Sequence, residues 1–335
     1  MEATDYIPAA ERPSLSPSYH SRKLKWTDEC LIRNFLAGSL QLLGMFLRLH
    51  QTTIATAQHI MQRFYFRASL FELPYRDVLL GAICLASKLD EAGRSVREVV
   101  SCGYQLFHIF EGFRRPVDVL DLGSERYTAL REAAIVAERR ILTELGYQVY
   151  RLTSHPYTYL LTYVEMLGGD RAVAQVAWNY VNDSYRAPLC VSFPPHLLAV
   201  AAIFLASCKL QSALFHVSTP WWEIFQVSKA DLDTVCGEIL LLYDVQRVYE
   251  EDVIVLMHKY TRSSRKGLEV LDTDGAGHSV ALTETNLYAN NYKEVAFLRD
   301  LEASSLENMT NAESLWINTN KKLEKLISAH REPKA

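Results

Sequence analysis

Two long apolar runs dominate this sequence, one from Val78 to Ala86 and one from Leu197 to Ala206. Each is hydrophobic nearly all round a helix, and such a helix is stable only when neighbours cover every side of it. The longer run, Leu197 to Ala206, falls well short of the roughly 20 residues that cross a bilayer. Each run therefore marks the centre of a helical bundle. A shift of 120 positions lays Ala82-Ile83 on Ala202-Ile203 and Leu85-Ala86-Ser87 on Leu205-Ala206-Ser207. The same shift lays Ala57 on Ala177 and Tyr65 on Tyr185. A repeat at one fixed offset means one folding unit used twice.

The flanking periodicity agrees. Before the first apolar run, Leu31, Phe35, Leu36, Leu40, Leu43, Phe46 and Leu47 recur at helical spacing. A second helix is read from Thr52, as N-cap, to about Phe66, and the third from Pro74 to Asp90. Ser95 and Glu98 have the spacing of a capping box and start a fourth helix. A fifth runs from Ser124 to Leu145, with Gly146 as its stop. The pattern then restarts, with helices over Ser154–Leu167 and Asp170–Tyr185, and a third from Pro194-Pro195 to Leu210. A short helix holding Trp221-Trp222 follows, and a last one from Ser228 to Val245. Strand signals are sparse and isolated. The fold expected is all-α, with two tandem five-helix domains.

Size permits this. A chain of 38.2 kDa exposes roughly 14,000 Å² folded and roughly 55,000 Å² unfolded, enough burial for two domains. The boundaries read are a polar, disordered arm over 1–24, a first domain over 25–150, a second over 151–262, and a tail over 263–335. Within the tail, 313–330 has a helical pattern, with Leu315, Trp316, Leu323, Leu326 and Ile327 apolar and Lys321, Lys322 and Lys325 basic.

Several chemistries are excluded. The net charge is −4, which opposes an electrostatic grip on nucleic acid by the whole protein. The six cysteines form no C-x-x-C. Residues Met1 to Lys25 carry three prolines and no apolar core of a signal peptide, so reduced thiols in the cytosol or nucleus are expected. No phosphate loop or nucleophile elbow exists. Asp272-Thr273-Asp274-Gly275 places its glycine at position four, where a Ca²⁺ loop needs it at position six. No cofactor, metal or enzymatic activity is expected.

Specific residues carry a family resemblance. Leu85-Ala86-Ser87-Lys88-Leu89-Asp90-Glu91 resembles the segment that ends the third helix of a cyclin box. Ala137-Glu138-Arg139-Arg140-Ile141-Leu142, followed by Leu145-Gly146-Tyr147, resembles the fifth helix and its exit. Ala177 to Ser184 and His155-Pro156-Tyr157 resemble the second box of transcription and RNA-processing cyclins, cyclin L above all. The resemblance covers about Leu24 to Tyr260.

It implies a non-catalytic nuclear subunit that binds and activates a cyclin-dependent kinase as a heterodimer, without membrane or direct nucleic-acid contact. The kinase-binding residues it implies are Lys88, Glu138, Leu89, Glu91 and Leu142. A further subunit could dock through the C-terminal helix. The alternative within the same fold is a general transcription factor of the B type, which binds DNA. Ile32-Arg33-Asn34-Phe35-Leu36 aligns with the stretch that forms a substrate-docking groove in cell-cycle cyclins. That groove uses a Trp where this chain has Ser39, so no such groove is expected.

Overall fold

The computed structural model describes residues 6–110, 120–210, 220–244 and 253–260. Among them every regular element is helical. The first bundle comprises α1 (Trp26–Phe46), α2 (Gln51–Phe64), α3 (Tyr75–Leu89), α4 (Val96–Phe110) and α5 (Glu125–Glu144). The second comprises α6 (Tyr157–Met166), α7 (Arg171–Ser184), α8 (Pro195–Leu210), a 3₁₀ turn (Trp221–Phe225) and α9 (Lys229–Asp244).

The two apolar runs are α3 and α8. Every residue of α3 from Val78 to Ser87 is buried. In α8, Leu197 to Ile203, Leu205 and Ala206 are buried. Each Leu or Ile so enclosed contributes about 1.5–3 kcal/mol. Leu36, Ile60, Phe64, Val99 and Ile141 close the first core around α3. Leu160, Val173, Val181, Leu232 and Ile239 close the second around α8.

The helix ends follow the sequence signals closely. Ser95 N donates to Glu98 Oε2 at 2.8 Å while Glu98 N donates to Ser95 Oγ at 3.3 Å, completing the capping box. Ser124 and Asp170 cap α5 and α7 by accepting from Tyr127 N and Val173 N. Thr52 is not a cap. α2 begins two residues earlier, with His50 in the cap position, and the His50 side chain makes no capping bond.

Two segments depart from the expected boundaries. Residues 6–24 were expected to be disordered, yet they form a 3₁₀ turn (Ala9–Glu11) and two short helices, Arg12–Leu15 and Pro17–Arg22. This strap fastens to the second bundle through Ile7 N, which donates to Val191 O at 3.1 Å. Arg12 adds bonds from Nε to Ser192 Oγ and from NH1 to Glu238 Oε2, both 2.6 Å. It fastens to the first bundle through Ser16, which bonds the Glu29 carboxylate, and Ser18 Oγ, which accepts from Leu70 N at 3.0 Å. The second departure is the helical stretch 253–260. It was assigned to the second domain, but Val253 and Tyr260 are buried in the first core. Tyr260 OH donates to Asp28 Oδ2 of α1 at 2.6 Å. The N-terminal strap thus bridges the two bundles, and the last described helix returns to the first. The tail over 263–335, with its helical pattern at 313–330, lies outside the described residues.

Candidate functional site

The site begins with a missing side chain. α3 and α5 are the most intimately packed pair in the first bundle, and Gly81 is where they meet. A Cβ at Gly81 would stand 2.8 Å from Glu138 N and 2.9 Å from Ala137 Cβ, closer than side-chain carbons approach other atoms. Two helical turns further along α3 the same stripe presents Lys88. Its Nζ donates to Glu138 Oε1 at 2.6 Å and Oε2 at 2.8 Å. The lysine side chain is 57% exposed and the glutamate's only 10%. The pair therefore lies at the surface with the lysine outermost, and any partner meets the ammonium first.

The ends of both helices lie beyond this pair. α3 stops with Glu91 N donating to Lys88 O and Ala92 N to Ser87 O. Glu91 has φ +51°, the left-handed conformation that glycine usually takes at a helix end. Its side chain is exposed. α5 stops with two left-handed residues in succession, Gly146 at φ +60° and Tyr147 at φ +59°. Glycine takes that conformation freely, whereas for tyrosine it costs about 1–2 kcal/mol. Tyr147 N donates to Leu142 O at 3.0 Å, which holds the strained residue in place. Its side chain, 67% exposed, receives no burial in return.

The sequence-derived residues fall into two groups. Lys88 and Glu138 come together, and Glu91 stands exposed at the end of α3. Leu89 and Leu142 are half-buried, packed on the first core. Sequence reading missed Ile135, Val136 and Tyr147, three exposed apolar side chains on and just after α5. Ile135, Glu138 and Leu142 share one helix stripe at i, i+3 and i+7. A signal for two of them was present. Ile135-Val136 lies outside the core stripe of α5, which is Ala134, Ala137 and Ile141.

Cys84, one turn before Lys88, is a small apolar filler. Burial pushes its thiol up to about 12, with nearby Glu138 adding to the effect. All six cysteines are free thiols. Among the described residues no group of three or more His, Cys, Asp or Glu could hold a metal, and no helix is long and apolar enough to cross a membrane.

The stretch aligned with the docking groove of cell-cycle cyclins is interior. Arg33 is fully buried, and Nε and NH2 donate to Glu29 Oε1 at 2.9 and 2.6 Å. Ser39 is buried too, its hydroxyl donating to Phe35 O at 2.9 Å. There is no aromatic floor at position 39.

Comparison with known proteins bears on this arrangement. No family model matches the chain. Over 212 residues it is 35% identical to cyclin-L2 of Mus musculus, covering 62% of this chain and 40% of that one. It is 31% identical to cyclin-L1-1 of Arabidopsis thaliana over 243 residues, covering 72% and 57%. With cyclin-L1 of Homo sapiens the identity is 34% over 236 residues, covering 70% and 43%. The chain thus spans only about half the length of these relatives, or less. In fold it resembles a chain of the yeast RNA Pol II CTD kinase CTDK-1 complex, with TM-score 0.56, 14% identity and coverage of 81% and 84%. It also resembles one in the CAK complex of Chaetomium thermophilum, with TM-score 0.53, 17% identity and coverage of 82% and 97%. The paired bundles, the motifs that end α3 and α5, and the alignment with L-type cyclins along most of the described chain converge on one conclusion: this chain belongs to the cyclin family.

Proposed function

We propose that this protein is a regulatory subunit that binds and activates a cyclin-dependent kinase acting in RNA polymerase II transcription or pre-mRNA processing, and that it works in the nucleus. The observation that carries the reading is the surface ion pair of Lys88 and Glu138 across α3 and α5. Beside it on the same stripe of α5 lie Ile135, which is exposed, and Leu142, which is half-buried. A charged pair with apolar neighbours suits a docked helix. Apolar contacts supply most of the affinity, and the charges set register by bonding backbone and side-chain groups at the rim. Leu89 and Leu142 support the patch from beneath, and Glu91 adds a charge at its edge.

Activation in this reading is a population shift. A kinase whose nucleotide-binding Lys–Glu pair is out of register is moved toward its competent state by a partner that binds that state better. The cyclin contributes no catalytic group and takes no cofactor. One structural neighbour is a chain of an RNA Pol II CTD kinase complex, which supports polymerase C-terminal repeats as the substrate class. The L-type relatives support a role in RNA processing. The helical pattern read at 313–330 is the proposed dock for a further subunit.

The test is capture of the full chain from its native cells, mass spectrometry of what it brings down, and reconstitution of kinase activity. A partly exposed ion pair contributes about 0–1 kcal/mol to stability. The double variant Lys88→Ala/Glu138→Ala should therefore unfold within a few degrees of the parent, yet bind the kinase at least ten-fold more weakly. Recovery of no kinase, or unchanged affinity in a folded double variant, defeats the proposal.

A further inference from the structure

The N-terminal strap is held by polar contacts. Between Tyr6 and Lys23 the only buried residues are Arg12, Ser16 and Ser18. Apolar anchoring is confined to its two ends, where Ile7 packs on the second core and Leu24 is buried in the first, while Tyr6, Leu15 and Tyr19 are exposed. The stretch between those anchors contributes no buried apolar side chain, and such a stretch opens locally far more often than the whole protein unfolds. Its fastening to the first bundle centres on Ser16. That hydroxyl donates to the carboxylate of Glu29 and accepts from Tyr19 N at 3.3 Å, capping the helix Pro17–Arg22. Glu29 is fully buried and already paired with Arg33. Ser16 is followed by Pro17, the dipeptide that proline-directed kinases accept. The described residues thus place a modifiable hydroxyl against a buried carboxylate, in a segment poised to detach.

We propose that Ser16 is a phosphorylation site for a proline-directed kinase, and that a phosphate there keeps the strap off both bundles. In the transfer, Ser16 Oγ attacks the γ-phosphorus of ATP, the bond to the bridging oxygen breaks, ADP leaves, and the hydroxyl proton passes to a base on the kinase. The reaction occurs while the strap is open. Reclosure would then press a group of charge about −1.5 to −2 onto Glu29, in a space that admits only a hydroxyl. The guanidinium of Arg33 is committed to Glu29, Gln62 O and Tyr65 O and does not turn toward the phosphate. The partial positive charge at the start of this six-residue helix offsets only a small part of that repulsion, so it does not draw the strap shut. Release of Ser16 also loosens Arg12 from Ser192 and Glu238, because one short segment carries both attachments. The proposal does not rest on the kinase partnership argued above.

The experiment uses the full chain, ATP and a purified mitogen-activated protein kinase as the proline-directed probe. Phosphate is located by mass spectrometry, and amide exchange is followed in peptides covering 6–24. Incorporation at Ser16 should be slow in the parent and at least five-fold faster in Arg12→Ala, where the strap opens more often. Phosphorylated parent and Ser16→Glu should both show exchange over 6–24 at least ten-fold faster, with α3 and α8 unchanged. Ser16→Ala should keep the slow exchange. The other proline-directed dipeptide, Thr219-Pro220, serves as an internal control. Incorporation confined to Thr219 in Arg12→Ala overturns the proposal. So does phosphorylation of Ser16 that leaves exchange over 6–24 unaltered.

Discussion

Arg33 holds a full positive charge where no water reaches it. Five donations satisfy it, two to Glu29, two to Gln62 and one to Tyr65 O. The guanidinium also lies over the Phe66 ring at 4.3 Å. A buried pair of this kind adds little net stability, but removing one partner leaves a charge without a counterpart. Glu29→Ala is expected to cost about 3–5 kcal/mol, read from urea unfolding. A loss below about 1 kcal/mol would mean that water enters and solvates Arg33. Replacing both residues with Met and Gln of similar volume should recover much of the loss. The sequence placed Arg33 in the right motif. It did not show that a glutamate one turn earlier neutralises it, because an i, i+4 acid–base pair reads equally well as a solvated face.

Among the elements, α3 and α5 show how a glycine serves a charged pair placed two turns away. Gly81→Ala forces the α5 backbone outward, an overpacking that is expected to cost about 1–3 kcal/mol. It should also widen the Lys88–Glu138 separation, so kinase affinity falls although neither charge is altered. Thermal unfolding and a binding titration on the same variant check both halves. Affinity equal to the parent's would show that the pair does not depend on this close approach. Helix ends and apolar centres were legible because local chemistry sets them, as Ser95, Ser124, Asp170 and Gly146 all attest. The strap was not legible. Between Ile7 and Leu24 its buried side chains are polar, and a Ser- and Pro-rich composition looks disordered until Glu29 and Glu238 are in place to receive it. The stretch 253–260 was read only as the end of the second domain, because periodicity does not say which of two cores receives an apolar face. Tyr147 was quoted within a motif, yet nothing local marks it as exposed.

Across the whole molecule, a chain of hydrogen bonds joins the second bundle to the end of α3. His155 Nδ1 lies 2.7 Å from Tyr185 OH and its Nε2 lies 2.8 Å from Thr56 Oγ1. The Thr56 hydroxyl in turn donates to Asp90 Oδ2 at 3.0 Å. The order is self-consistent for a neutral imidazole, accepting from tyrosine and donating to threonine. Burial holds His155 down to about 4, although nearby Asp90 opposes this. Burial, with a contribution from Arg63, holds His59 down to about 3. In the unfolded chain both take a proton near pH 6.5. The unfolded state therefore binds more protons below that pH. Stability is complete above pH 6.5 and drains away as pH falls toward 4 for His155 and 3 for His59. Each histidine should remove about 2 kcal/mol between pH 7 and pH 5. His155→Gln offers a donor and an acceptor without a titration, so its urea midpoint should fall less steeply over that interval. An unchanged slope would remove His155 from the account.

The return of 253–260 to the first bundle has a consequence for synthesis. Val253 and Tyr260 close the first core, so an emerging chain cannot finish its first bundle when α5 leaves the ribosome. That bundle waits, incomplete along α1, while the second is translated and begins to fold. The strap, made first, waits longer for its docking site, since Glu238 lies near the end of the second bundle. The nascent chain therefore carries unfinished surface while the second bundle is made, and the helix over 253–260 acts as a late closing step rather than an appendage. A truncation that ends before 253 should appear as a chaperone-bound species instead of a shorter soluble cyclin.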